Sequence, residues 1–182
     1  DKVVERVIHL AEEDCGDPPA PYVWLGLGSE GRKEQTLFTD QDNAIIFSDN
    51  APNGATAYFQ TFSARIVDGL NRCGIPLCKG NVMATNKKWF GDLAEWKTKV
   101  TQWVEKGYAD EKELLDNYVF LDFRPIYGDY RLAKELKSFL IDLVNKNTPF
   151  LKSLAETITS IPIPLGFFKH FTTMFFKFVC PR

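Results

Sequence analysis

Histidine is nearly absent from this 182-residue chain, with His9 and His170 the only two. A metal hydrolase built on clustered histidines and aspartates therefore has no ligand set to draw on. Cysteine is almost as sparse. Cys15, Cys73, Cys78 and Cys180 include no C-x-x-C pair, which removes the common zinc and dithiol motifs and reads as reduced thiols in a cytoplasmic protein. Positive charge is not in excess: 22 Lys and Arg against 24 Asp and Glu leave a net charge of −2. Proteins that track along nucleic acid need a basic surface, so no long nucleic acid is expected as a partner. No apolar run approaches the roughly 20 residues needed to cross a bilayer, and no secretory leader opens the chain, so no membrane partner is expected either. The first residue is Asp1 rather than Met, as in a piece cut from a longer protein.

Apolar and aromatic residues are plentiful, at 45% and 14%, enough for one packed domain with a helical annex. The chain is organised around Gly26 to Phe47, GLGSEGRKEQTLFTDQDNAIIF. An apolar run, Tyr22 to Leu27, predicts a strand. A polar turn containing Gly28, Ser29 and Gly31 follows, with a short helix predicted over Arg32 to Leu37. Backbone amides in such a turn make an anion cradle. Arg32 and Lys33 either add positive charge to it or form a solvated helix face, and Glu34 is expected to pair with one of them. The chain then reaches Asp40 and Asp42, directly before a second apolar run, Asn43 to Phe47. Residues i and i+2 of a strand share a face, about 4–7 Å apart. Two carboxylates so placed repel one another unless a cation lies between them. Mg²⁺ is the hard ion that takes carboxylate and phosphate oxygens together.

Gly26, Gly28 and Gly31 also fit the G-x-G-x-x-G dinucleotide pattern, with Asp49 at the end of the next strand. Against this, Arg32 to Thr39 offers only Leu37 and Phe38 to a sheet. The rest of the chain also lacks the repeated strand–helix units of a doubly wound fold.

Elsewhere the spacing predicts a helix over Lys2 to Asp14, broken by the proline-rich segment Cys15 to Pro21, and a long helix over Ala55 to Cys73 with Gly74 as its cap. A loop with a short strand, Asn81 to Ala84, comes next. Lys79 or Asn81 there is either within reach of a ligand or an ordinary surface residue. Lys88 to Lys106 reads as a helix whose tryptophans pack against other helices, and Asp110 to Asn117 as a short one. Tyr118 to Tyr127 reads as a strand in which Val119, Leu121 and Phe123 alternate with Phe120, Asp122 and Arg124. An aspartate in so apolar a strand needs a partner, and Arg124 on the same face is one. Asp129 is expected to cap a helix over Tyr130 to Asn145. The last part, Thr148 to Arg182, reads as a helix and a proline-spaced turn. After it comes an aromatic stretch, Phe167 to Phe178, that should pack on the helical annex or on a partner chain. The domain reading is 1–21, helix and linker; 22–128, core; and 129–182, C-terminal helical region.

The Gly28-Ser29 turn followed by Thr39-Asp40-Gln41-Asp42 resembles the signature of the DNA polymerase β-type nucleotidyltransferases. Gly31 to Asp42 is similar to the matching segment of the protein-PII uridylyltransferases and glutamine synthetase adenylyltransferases. It is closer still to the nucleotidyltransferase domain found beside CBS and cyclic-nucleotide-binding modules in bacterial signalling proteins. That similarity extends to Cys73–Pro76, Asn81–Ala84, Leu93–Trp96 and Phe120–Asp129. The resemblance implies an α/β (α+β) fold, polymerase β-like, with a small mixed sheet flanked by helices and a C-terminal helical annex. It implies a nucleotide site in which the Gly28 amide and Ser29 hydroxyl hold the β- and γ-phosphates, with Gly31, Arg32 and Lys33 around them. It also makes Asp122 a third catalytic carboxylate, joining Asp40 and Asp42 as ligands of two Mg²⁺ ions. The implied activity moves a nucleoside monophosphate from ATP or UTP to a hydroxyl acceptor, with a regulatory protein as one candidate. CBS or cyclic-nucleotide-binding domains are expected upstream. With only two histidines, the HD-type deuridylylating half of full uridylyltransferases is not available. The alternative is a regulatory module that senses a nucleotide without transferring it, and a purely structural adaptor is third.

Overall fold

The computed structural model describes residues 1–35, 39–106 and 118–160. They build a four-stranded mixed sheet with helices on both faces. In chain order the elements are α1 (Lys2–Cys15), β1 (Tyr22–Gly26), the single helical turn α2 (Gly28–Gly31), β2 (Asn43–Phe47) and α3 (Ala55–Arg72). A 3-10 turn, Lys87–Trp89, then leads into β3 (Phe90–Asp92), α4 (Leu93–Lys106), β4 (Arg124–Gly128), α5 (Tyr130–Lys146) and α6 (Thr148–Ser160). The strand order is β3-β2-β1-β4. β1 runs antiparallel to β2 and to β4, and β2 runs parallel to β3. The antiparallel β1–β2 pair rules out the dinucleotide reading of the glycine pattern, which requires a parallel strand–helix–strand unit.

β1 and β2 are buried along their whole length, because each face of the sheet is covered. Tyr22 and Trp24 with Ile45 and Phe47 pack against α1 and α3. Val23 and Leu25 with Ala44 and Ile46 pack against α4, α5 and Phe150 of α6. Alternation along each strand thus feeds two cores, and its continuous apolar character follows. Each such side chain contributes about 1.5–3 kcal/mol when fully buried. α1 crosses α3 at Gly69, where a Cβ would lie 2.7 Å from Val7 Cγ1. On the other face Trp96 donates its Nε1–H to Ile45 O at 2.9 Å, locking α4 to the central strand.

The caps explain the boundaries. Gly74 adopts φ +89, and the amides of Gly74 and Ile75 return to Asn71 O and Leu70 O at the end of α3. The Asp129 carboxylate accepts the Arg131 amide at 3.0 Å and opens α5.

Three expectations fail locally. Asn81 to Ala84 is not a strand; Asn81 sits in the left-handed region with φ 58. The strand lies instead at Phe90–Asp92, inside the span expected to be helical. There Asp92 accepts the Glu95 amide at 2.8 Å while Glu95 accepts the Asp92 amide at 3.2 Å. That reciprocal pair fixes the start of α4 at Leu93. Tyr118 to Tyr127 is not one strand either. Residues 118–121 are helical, Asp122 lies in the turn, and β4 begins at Arg124. Pro125 is tolerated because β4 is an edge strand. The turn after β1 is itself helical, over Gly28–Gly31, one step ahead of the helix expected from Arg32. Of that expected helix, Arg32 to Gln35 are not helical and Thr36 and Leu37 lie outside the described residues, as do the helix expected over Asp110 to Asn117 and the aromatic stretch from Phe167. Among the described residues no helix is long and apolar enough to cross a membrane.

Candidate functional site

β1 delivers the chain into a crowded turn. At Gly26 a Cβ would lie 2.6 Å from Glu30 Cγ and 2.9 Å from Ile126 Cδ1. Gly28 turns with φ +50. At Gly31 a Cβ would lie 1.7 Å from the Asp122 carbonyl oxygen, so only glycine lets the 118–122 segment close over the turn. Within α2 the amides of Glu30 and Gly31 donate to Leu27 O, and those of Arg32 and Glu34 donate to Gly28 O and Ser29 O. The amides of Gly28 and Ser29 have no backbone acceptor among the described residues.

β2 brings the carboxylates to the same place. The β1–β2 ladder pairs Gly26 with Asn43 and runs one step further, Leu27 N–H donating to Asp42 O at 2.9 Å. Gln41 and Asn43 are buried at 1% exposure each. Their side chains point into the protein, toward α3 and the 75–84 loop. Asp40 and Asp42 alternate with them. Asp42 Oδ2 lies 3.8 Å from where a Gly28 Cβ would stand. Of the expected Asp-x-Asp pair, Asp42 therefore lies beside the glycine–serine turn.

A third neighbour, Cys78, was read from the sequence only as one of four ordinary thiols. Its thiol is pushed up to about 12, above all by burial; the bond with the Val82 backbone works against this and the Asp42 and Asp40 carboxylates add to it. The thiol is hydrogen-bonded with Asp42 and stays protonated at neutral pH.

Glu30 was also missed. It is 8% exposed, and burial raises its carboxyl to about 7. The α-amino group and Arg124 oppose that rise, and Asp42 adds to it. The available signal was the three glycines around it, which leave Glu30 as the bulky side chain of the turn.

Arg32, expected to face phosphate, is held between two carboxylates. Its Nε donates to Glu34 Oε2 at 2.8 Å, as expected for Glu34, and its Nη1 to Asp122 Oδ2 at 2.6 Å. Lys33 is exposed, with φ 61. Lys79 and Asn81 are exposed loop residues.

Asp122 departs furthest from its expected role. Its partner is Arg32, 90 positions away, rather than Arg124. Arg124 instead donates to Glu30 O, Gly31 O and the Asp1 carboxylate. Because residues 118–121 are helical, Asp122 leaves the strand and its side chain is 42% exposed. Among the described residues no three His, Cys, Asp or Glu side chains gather closely enough to hold a metal ion. Asp42 lies beside the glycine–serine turn, and Asp122 forms no ligand group with it and Asp40. Carboxylate oxygens of this kind suit Mg²⁺ better than a softer ion.

The family model described as "Putative nucleotidyltransferase DUF294" matches residues 1–110, a span that holds Gly28 to Cys78 and stops short of Asp122. No curated protein matches the chain.

Proposed function

The chain belongs to the DUF294 family, and from that membership we propose that it transfers a nucleoside monophosphate from ATP or UTP to a hydroxyl acceptor. The acceptor we favour is a regulatory protein in the cytoplasm, in a signalling chain whose upstream part carries CBS or cyclic-nucleotide-binding domains. The observation that supports this reading is the approach of Asp42 to Gly28, its Oδ2 3.8 Å from where a Cβ would stand, which sets a carboxylate beside the glycine–serine turn.

In this reading the Gly28 and Ser29 amides and the Ser29 hydroxyl bind the terminal phosphates. Arg32 and Lys33 stand at the rim, Arg32 aimed by Asp122. Mg²⁺ held by Asp40 and Asp42 would neutralise the triphosphate and lower the pKa of the acceptor hydroxyl. The acceptor hydroxyl gives its proton to solvent as its oxygen attacks the α-phosphorus in line, the α–β bridging P–O bond breaks, and pyrophosphate leaves. The chain contributes positioning and charge placement.

The test is label transfer from α-labelled ATP and UTP in cytosolic extract. Label should appear on a macromolecule with the wild type and not with the folded Asp40→Asn/Asp42→Asn variant. Equal transfer by both overturns the reading. A second reading, a sensor that binds the nucleotide without transfer, is favoured by the engagement of Asp122 with Arg32, which leaves two carboxylates where transfer would use three. Saturable binding with no label transfer selects it.

A further inference from the structure

We propose that Gln41 and Asn43 are positioning residues, buried amides that fix where the Asp40 and Asp42 carboxylates point by tying them to the loop that carries Cys78. The inference rests on the reading of those carboxylates as a metal–nucleotide site.

Packing alone does not call for amides here. An unsatisfied buried amide is destabilising by about 1–3 kcal/mol, whereas an apolar side chain of the same size would fill the space. Both residues are instead bonded at each end. Gln41 Nε2 donates to Val67 O at 3.0 Å and to Ile75 O at 2.9 Å, and the Gln41 amide donates to Pro76 O at 3.0 Å. The carbonyl end of the Gln41 side chain accepts from Asn43 Nδ2 at 3.4 Å. Asn43 Oδ1 accepts the Ala84 amide at 2.9 Å, and the Asn43 amide donates to Val82 O at 3.0 Å.

The network therefore holds the 75–84 loop at both ends, at Ile75–Pro76 and at Val82–Ala84. Cys78, between those ends, is pressed onto Asp42. β2 begins at Asn43 and its ladder reaches Asp42, so with Asn43 locked inward Asp42 faces the other way, and the bonds of Gln41 limit where Asp40 can turn. The bonds run to main-chain atoms, so the device does not depend on the side chains of the loop.

Two readouts on Gln41→Met test it. Mn²⁺ alone, followed by electron paramagnetic resonance, reports the carboxylate pair. Peptide-mapped alkylation by iodoacetamide reports the loop at Cys78. Gln41→Met should weaken Mn²⁺ binding about 10–100-fold, the usual effect of removing a group that orients a ligand. It should also speed Cys78 alkylation by about tenfold through loop opening, while circular dichroism shows an intact fold. Should Gln41→Met fail to fold, Gln41→Asn, one methylene shorter, is measured in the same two ways, since it too cannot span both carbonyls. Wild-type rates and affinities in a folded variant overturn the inference. Absence of Mn²⁺ binding in the wild type overturns the reading beneath it. In that case faster Cys78 alkylation still shows the loop clamp, and an unchanged rate removes that as well.

Discussion

Asp42 and Asp122 both sit at the Gly28–Gly31 turn, one on each side, and the chain holds them in opposite ways. Asp42 directly precedes the central strand β2, is 9% exposed, and lies beside a neutral thiol and Gly28. Asp122 arrives on a helical turn, is 42% exposed, and is met at 2.6 Å by a guanidinium. The thiol brings Asp42 no positive charge, whereas a carboxylate paired with arginine already has a cation in place. Position beside the turn is thus not enough to make a ligand; what the backbone points at each carboxylate decides.

The largest effect should come from the neutral side. Asp40→Asn/Asp42→Asn should reduce nucleotidyl transfer on the order of 10³-fold in a labelled-NTP assay, in line with loss of metal charge stabilisation. Its melting curve should stay cooperative. A fall of only a few-fold would erase the contrast.

Gly31→Ala tests the join between the two sides. Its Cβ would meet the Asp122 carbonyl at 1.7 Å, so the 118–122 segment must move. Overpacking of this kind is destabilising by about 3 kcal/mol. Urea denaturation should register that loss, and unchanged stability would mean the segment is not packed on the turn.

Glu30 gives the pH dependence. Its folded pKa, about 7, lies above its ordinary value of 4.5. The folded state therefore holds the proton more tightly, and the contribution is complete below about pH 4.5 and lost as pH rises through 7. Glu30→Gln should remove that loss and be more stable than the wild type at pH 8 by about 3 kcal/mol. The two should converge near pH 4. Parallel stability curves from pH 4 to 8 would contradict a buried Glu30. The smallest effect belongs to Asp122→Asn, since an exposed ion pair contributes up to about 1 kcal/mol.

Much of this was legible. β1, β2, α1, α3 and α5 follow from uninterrupted periodic patterns and from Gly74 and Asp129 as stops. Of the candidate site, the strand–turn–strand frame around Gly28 was legible in the same way, from two apolar runs flanking a glycine turn. What failed was set by distant contacts. Val119 to Arg124 alternates like a strand, yet Phe120 stacks on Trp96 at 4.8 Å, and a helical turn at 118–121 presents it there. β3 has three residues, Phe90 to Asp92, too few to show a period, and its parallel partner lies 45 positions earlier, Ile45 with Phe90. The partner of Asp122 is 90 positions away, and no spacing rule reaches that far. Glu30 is buried by Gly26 and by the neighbouring edge strand rather than by anything next to it in the chain.

The most direct measurement is Mn²⁺ binding, with ATP or UTP present, by the wild type, Asp42→Asn and Asp122→Asn. The account predicts that Asp42→Asn abolishes binding while Asp122→Asn stays within a few-fold of the wild type. Equal loss in the two variants, or no binding by the wild type, would contradict it.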